Sequence, residues 1–209
     1  MKITAVRHYK GSVYEVEIDE DRKLYLHADI IADFGIYTGM ETERTELKKI
    51  IYASNYRRAF EYALHLLDYR DYSRHEMWQK LIKTYKNESL CEAVMKKLEK
   101  IGVINDERYA GRLAEKLVVR KLFGLRRARQ EMVMKGLDRF TVEDALAPYT
   151  ESTAVNLACL LEKKYSRLLT DESDRKSIEK VKNALVRYGY GFEDINRAVR
   201  TYFNEADND

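Results

Sequence analysis

The stretch His75-Glu76-Met77-Trp78-Gln79 opens like a zinc-protease signature. In H-E-x-x-H two histidines four apart on one helix face hold the metal, and the glutamate serves as general base. Here Gln79 takes the second ligand position, no third histidine lies nearby, and His65 belongs to the preceding apolar stripe. A local alternative exists. Ser73, followed three residues later by Glu76 and then by an apolar stripe, has the form of a capping box. Ser73 would accept a hydrogen bond from a first-turn amide while Glu76 reaches back to the amide of Ser73, a contribution of about 1 kcal/mol. This helix-start reading is preferred, and no metal site is expected. Thr141-Val142-Glu143-Asp144 and Asn105-Asp106-Glu107 read the same way, with carboxylates at a helix's positive end. The four histidines form no partner pattern, and no G-x-S-x-G or phosphate-cradling glycine loop occurs. No catalytic residues, cofactor or small-molecule substrate are therefore expected.

The basic residues carry more information. Arg108, Arg112, Lys116, Arg120, Lys121, Arg126, Arg127 and Arg129, with Lys135 and Arg139, crowd between positions 106 and 140 against about half as many acids. Arg108, Arg112 and Lys116 recur every four residues and share a helix face. Arg126, Arg127 and Arg129 stand at the start of the next helix. A solvated face is one reading; a contact with a polyanion or an acidic protein is the other. A phosphate binder would add a steep salt dependence.

The elements that must carry these residues fall into two kinds. Residues 3–8, 13–18 and 24–27 read as short strands, with VYEVEI alternating apolar and acidic residues. Residues 29–52 look helical, with a break around Gly35 and Gly39. From Asn55 onward the period is helical throughout. Phe60, Ala63, Leu64 and Leu67 make one stripe; Trp78, Leu81, Ile82 and Tyr85 the next; Cys91, Val94, Met95 and Leu98 a third. The pattern then recurs. Superposing Leu81, Met132 and Leu185 brings Cys91, Val142 and Ile195 into register, and then Met95, Leu146 and Val199. A period of roughly 50 residues belongs to helical repeat architectures. The expected fold is mainly α: three tandem three-helix repeats at 55–104, 105–149 and 150–203, forming an elongated curved body. A small β-rich segment at 1–54 precedes them, and an acidic tail at 204–209 is expected to fray.

Composition agrees. Of 209 residues 35% are charged and 45% hydrophobic, while one proline and nine glycines leave little to punctuate long helices. Cys91 and Cys159 sit in apolar helical patterns, as small thiols of a reducing compartment would. No apolar run approaches membrane-spanning length and the N-terminus lacks a secretory core, so a cytoplasmic protein with no membrane partner is expected.

The ordered series Ala59-Phe60-Glu61-Tyr62-Ala63-Leu64, Ser73 with Glu76 through Leu81, Gly102-Val103-Ile104-Asn105-Asp106, Tyr109-Ala110, Gly124, Lys135-Gly136, Glu162-Lys163-Lys164 and Gly191-Phe192-Glu193-Asp194-Ile195 resembles the RecX family of recombinase regulators. The resemblance covers nearly the whole chain. It rests on the order of these stretches, since no single one is specific. The strand-rich start with Tyr37-Thr38-Gly39 looks like the N-terminal extension of some members. Two stretches depart from the family's pattern: Lys83-Thr84-Tyr85-Lys86 replaces a lysine-glycine helix end, and Arg187-Tyr188-Gly189-Tyr190-Gly191-Phe192 carries extra residues. Pro148 falls where a third-unit linker would begin. The resemblance implies a non-catalytic, all-helical binder of the RecA filament on single-stranded DNA, lying in the filament groove. It implies blocked filament extension and depressed ATP hydrolysis, strand exchange and co-protease activity. The eight basic residues from Arg108 to Arg129 are the expected partner contacts, on recombinase or on single-stranded DNA. Two other readings stand beside it: a helix-turn-helix-like regulator reading duplex DNA, and a helical scaffold for another protein.

Overall fold

The structure is a computed structural model that describes residues 1–206. Three antiparallel strands, β1 (Ile3–Lys10), β2 (Val13–Ile18) and β3 (Arg22–His27), form a sheet in the order β1-β2-β3. The alternation in VYEVEI sets its faces: Val16 and Ile18 are buried, while Glu15 and Glu17 take Lys23 and Arg7 as ion-pair partners on the other side. A sheet this small needs a covering element. Helix α1 (Ala28–Asp33) and the first turns of α2 (Arg44–Tyr69) supply Ile30 and Ile50, which pack with Ile3, Val16 and Leu26.

Helix α2 is one element of 26 residues. The expected break around Gly35 and Gly39 is real, and both glycines have positive φ. The helix then runs on through residues 54 and 55, because no glycine or proline interrupts Arg44–Tyr69. The remaining helices are α3 (Arg74–Tyr85), α4 (Glu88–Lys100), α5 (Asp106–Glu115), α6 (Leu125–Met134), α7 (Arg139–Leu146), α8 (Thr153–Leu160), α9 (Arg175–Arg187) and α10 (Phe192–Ala206). Two of them continue into π-helical turns, α5 at Lys116–Arg120 and α8 at Leu161–Tyr165. The architecture is mainly helical with a small N-terminal sheet, as the residue pattern indicates. All nine residues aligned by the repeat register, from Leu81 to Val199, are buried. Of the expected acidic tail, Asn204–Ala206 completes α10, and 207–209 lie outside the described residues.

By contacts the chain divides into two compact units, one of residues 1–70 and 77–103, the other of 71–76 and 104–209. In the first, α4 packs on α2 and buries Leu90, Cys91, Val94, Met95 and Leu98. Burial holds the Cys91 thiol above its ordinary pKa. The second contains two apolar clusters. Ala110, Ala114, Leu117, Met132, Val142 and Leu146 form one; Leu157, Leu160, Val181, Leu185, Ile195 and Val199 form the other.

Two local readings change. The buried face of α3 centres on Met77 and Leu81, with Trp78 half-buried, so the stripe is rotated from the one read off Trp78, Leu81, Ile82 and Tyr85. Helix α7 starts before Thr141. Asp138 is its N-cap, accepting from the amides of Phe140 and Thr141 and from the Thr141 hydroxyl. Its short carboxylate reaches two first-turn amides, which Thr141, already inside the helix, cannot do.

Candidate functional site

The near-zinc stretch is a helix start with wider duties. The Ser73 amide donates to Glu76 Oε2 at 3.4 Å and the Glu76 amide to Ser73 Oγ at 3.1 Å, the reciprocal pair of a capping box. Both side chains also bond to other parts of the second unit. Lys135 Nζ donates to Glu76 Oε1 at 2.8 Å, the Tyr109 hydroxyl to Glu76 Oε2 at 3.2 Å, and Ser73 Oγ to the Lys135 carbonyl. The Arg74 amide donates to Asp106 Oδ1 at 2.7 Å, and Arg112 pairs with Asp71 at 2.9 Å. Gly136, at φ +78°, lies against the ring-bearing carbon of His75: a Cβ there would sit 2.3 Å from His75 Cβ. Among the described residues no cluster of His, Cys, Asp and Glu is arranged to hold a metal.

This joint is repeated. Superposing Leu81 on Met132 places Ser73 on Gly124; superposing Met132 on Leu185 places Lys135 on Tyr188 and Gly136 on Gly189. The Gly124 amide donates to the Tyr188 carbonyl at 2.8 Å, the counterpart of the Ser73–Lys135 bond. Gly189, at φ +95°, lies against Arg127 at the start of α6, where a Cβ would come within 2.5 Å of Arg127 Cβ. In each case a glycine turn after one helix seats on the start of another. The coincidence of Gly136 with Gly189 in the repeat register was the sequence signal for it.

The second joint engages several of the basic residues. The Arg127 guanidinium lies 3.9 Å from the centre of the Phe123 ring, donates to the Arg187 carbonyl at 3.0 Å and pairs with Glu131. Arg129 makes a two-pronged pair with Glu143 of α7, at 2.6 and 2.8 Å. These hydrogen bonds hold the Glu143 carboxyl below its ordinary pKa and the Arg129 guanidinium above its own. Arg112 has Asp71, Arg120 pairs with Glu115 at 3.2 Å, and Lys121 lies 5.4 Å from the Phe123 ring centre. Arg108 is exposed one turn before Arg112. Lys116 and Arg126 are exposed, with no side-chain hydrogen bond or ion pair among the described residues. The eight basic residues thus share one unit but not one role: Arg127 and Arg129 are part of its internal fastening, which periodicity alone could not reveal.

A further pair of contacts fixes the unit. The Tyr190 hydroxyl donates to the Leu122 carbonyl at 2.9 Å, and Asn156 Nδ2 to the Val118 carbonyl at 3.3 Å. Burial pushes the Tyr190 phenol well above the ordinary tyrosine range.

Comparison with known proteins agrees with this construction. Residues 59–98 match the first three-helix domain of RecX and residues 105–146 the second. The regulatory protein RecX of Geobacillus kaustophilus is 30% identical over 173 residues, covering 83% of this chain and 64% of that protein. The chain therefore spans just under two thirds of that relative's length. The RecX of Clostridioides difficile is 26% identical over 204 residues, 97% of this chain and 96% of its own. A crystal structure of a regulatory protein RecX superposes with a TM-score of 0.71 at 22% identity, covering 94% of this chain and 98% of that one. RecX from Lactobacillus salivarius does so at 0.64 and 26% identity, over 71% of this chain and 97% of its own. Matched by two successive RecX domains, by full-length relatives and by their fold, the chain belongs to the RecX family of regulatory proteins.

Proposed function

We propose that this protein binds the RecA recombinase filament on single-stranded DNA, blocks its extension, and lowers its ATP hydrolysis, strand exchange and co-protease activity. The observation that carries the reading is the match to both RecX domains in succession, 59–98 and 105–146. Inhibition of this kind needs no catalytic step. A protein that contacts neighbouring protomers gains area at each, and partial contacts add as avidity. In this reading the foremost partner-facing cations are the exposed and unspent Lys116 and Arg126; Arg108, Arg120 and Lys121 are exposed on the same unit.

The start of α6 weighs against a duplex-reading module. A recognition helix needs base-reading side chains free at its start. Here the Gly189 turn covers that start, and Arg127 and Arg129 are already bound. The deciding experiment is RecA ATPase on single-stranded DNA with this protein added below one molecule per recombinase. The expected result is a fall in turnover well beyond the fraction of recombinase bound; unchanged turnover rejects the proposal.

A further inference from the structure

Within the second unit a groove of about 570 Å³ opens between the two π-helical turns. Arg120 and Lys121 stand on one wall, Lys163 and Lys164 on the other, and no carboxylate lines it. Val119 and Val155 form apolar lips, 51% and 71% exposed. π-Turns carry an extra residue per turn and concentrate at functional sites; here one sets Val119 outward beside Arg120 while Leu117 and Val118 stay in the core.

The groove is built in advance of any ligand. Asn156 ties one wall to the other through the Val118 carbonyl, and Tyr190 holds the Leu122 carbonyl beneath it. Lys164 is fixed on the Tyr188 hydroxyl at 2.7 Å, a hydrogen bond that raises the pKa of its ammonium. Lys163 has no side-chain partner among the described residues. Four cations, of which Arg120 is already paired with Glu115, together with apolar lips call for a ligand that is both anionic and apolar.

Single-stranded nucleic acid would need a free aromatic face on which to stack a base. The two aromatic rings lining the groove are already faced by cations: Phe123 by Arg127 and Lys121, Tyr188 by Lys164 and Arg127. Aliphatic lips suit a peptide side chain instead. We propose that this groove binds an acidic peptide segment in which a large apolar side chain, seated between Val119 and Val155, is flanked by carboxylates held by Lys121 and Lys163. The inference deepens the filament-regulator reading by giving the chemistry of a bound partner, and its test uses no recombinase, so either can fail alone.

The test is fluorescence anisotropy of the full chain with three labelled probes: the peptide EEDLFDEE, its apolar-free counterpart EEDSSDEE, and an oligothymidylate of similar charge. EEDLFDEE is expected to bind saturably, and EEDSSDEE at least about tenfold more weakly, the difference one buried apolar anchor makes. The double variant Lys121→Glu/Lys163→Glu and the single variant Val155→Asp are each expected to weaken EEDLFDEE binding by about tenfold or more. Both substitute exposed side chains, and an unchanged melting curve verifies the fold. No binding of EEDLFDEE, equal binding of the two peptides, or binding indifferent to both variants overturns the proposal. So does oligothymidylate displacing the peptide and losing affinity in the same variants, which would assign the groove to nucleic acid.

Discussion

Glu76 shows how a single carboxylate can be read wrongly from its neighbours in sequence and rightly from its neighbours in space. Beside the histidine it resembles a general base; in the folded chain it accepts from the Ser73 amide, the Lys135 ammonium and the Tyr109 hydroxyl. Replacing it by alanine removes the cap and the acceptor of the half-buried Lys135 ammonium. Glu76→Ala is expected to lower unfolding free energy by about 1–3 kcal/mol in urea titrations, and Glu76→Gln, which can still cap, by less. An unchanged midpoint for the alanine variant would remove Glu76 from the joint. The cap was legible because its partners lie three residues apart. Lys135 and Tyr109 lie 59 and 33 residues away, and nothing local announces them. The same holds for Arg127 and Arg129, which looked like surface charge because their partners, Arg187 and Glu143, come from other helices.

At the scale of elements, the ends of α3, α6 and α9 all turn through the left-handed region, at Lys86 (φ 51°), Gly136 (78°) and Gly189 (95°). Two use the residue suited to it; the first uses a lysine, whose Cβ crowds the following carbonyl. Lys86→Gly is therefore expected to stabilise the protein by roughly 1 kcal/mol, seen as a higher urea midpoint at constant slope. Gly189→Ala has the opposite sign: besides the strained φ, its methyl would meet Arg127, and a loss of about 1–3 kcal/mol is expected. Equal and small shifts for both would show that these turns relax freely. The lysine at this helix end was visible in the sequence as a departure from the family's glycine. Strand positions and buried registers were visible too, because alternation and helical spacing are short-range signals. The full length of α2 was not: the repeating helical pattern that begins at Asn55 suggested a boundary there, whereas helix continuity depends only on the absence of breakers in 44–69.

For the molecule as a whole, the family resemblance came from an ordered series of individually weak stretches, which the match to two successive RecX domains supports. The internal pairing of the basic residues was less legible, because charge density counts every cation alike, whereas Arg112, Arg120, Arg127 and Arg129 have partners within the fold. Lys116→Ala combined with Arg126→Ala is expected to weaken inhibition of RecA ATPase by several-fold, more at low salt than at high, without changing the melting temperature. Arg127→Ala should lower the melting temperature through loss of its stacking and carbonyl contacts. If the double variant inhibits as well as the parent at low salt, those two cations do not face the partner.

The two glycine-turn joints have a consequence for how such a chain can change in evolution. Each pairs unlike surfaces, a helix start and a glycine turn, so the contact runs head to tail and does not close on itself. In the repeat register the next helix start is that of α9, where Ser177 falls on Gly124 and Asp174 caps the helix through the Ser177 amide. Ser177 lies inside α9, however, whereas Ser73 and Gly124 immediately precede their helices, so a duplicated module would not find a ready seat there. A glycine and the seat beneath it must mutate as a pair.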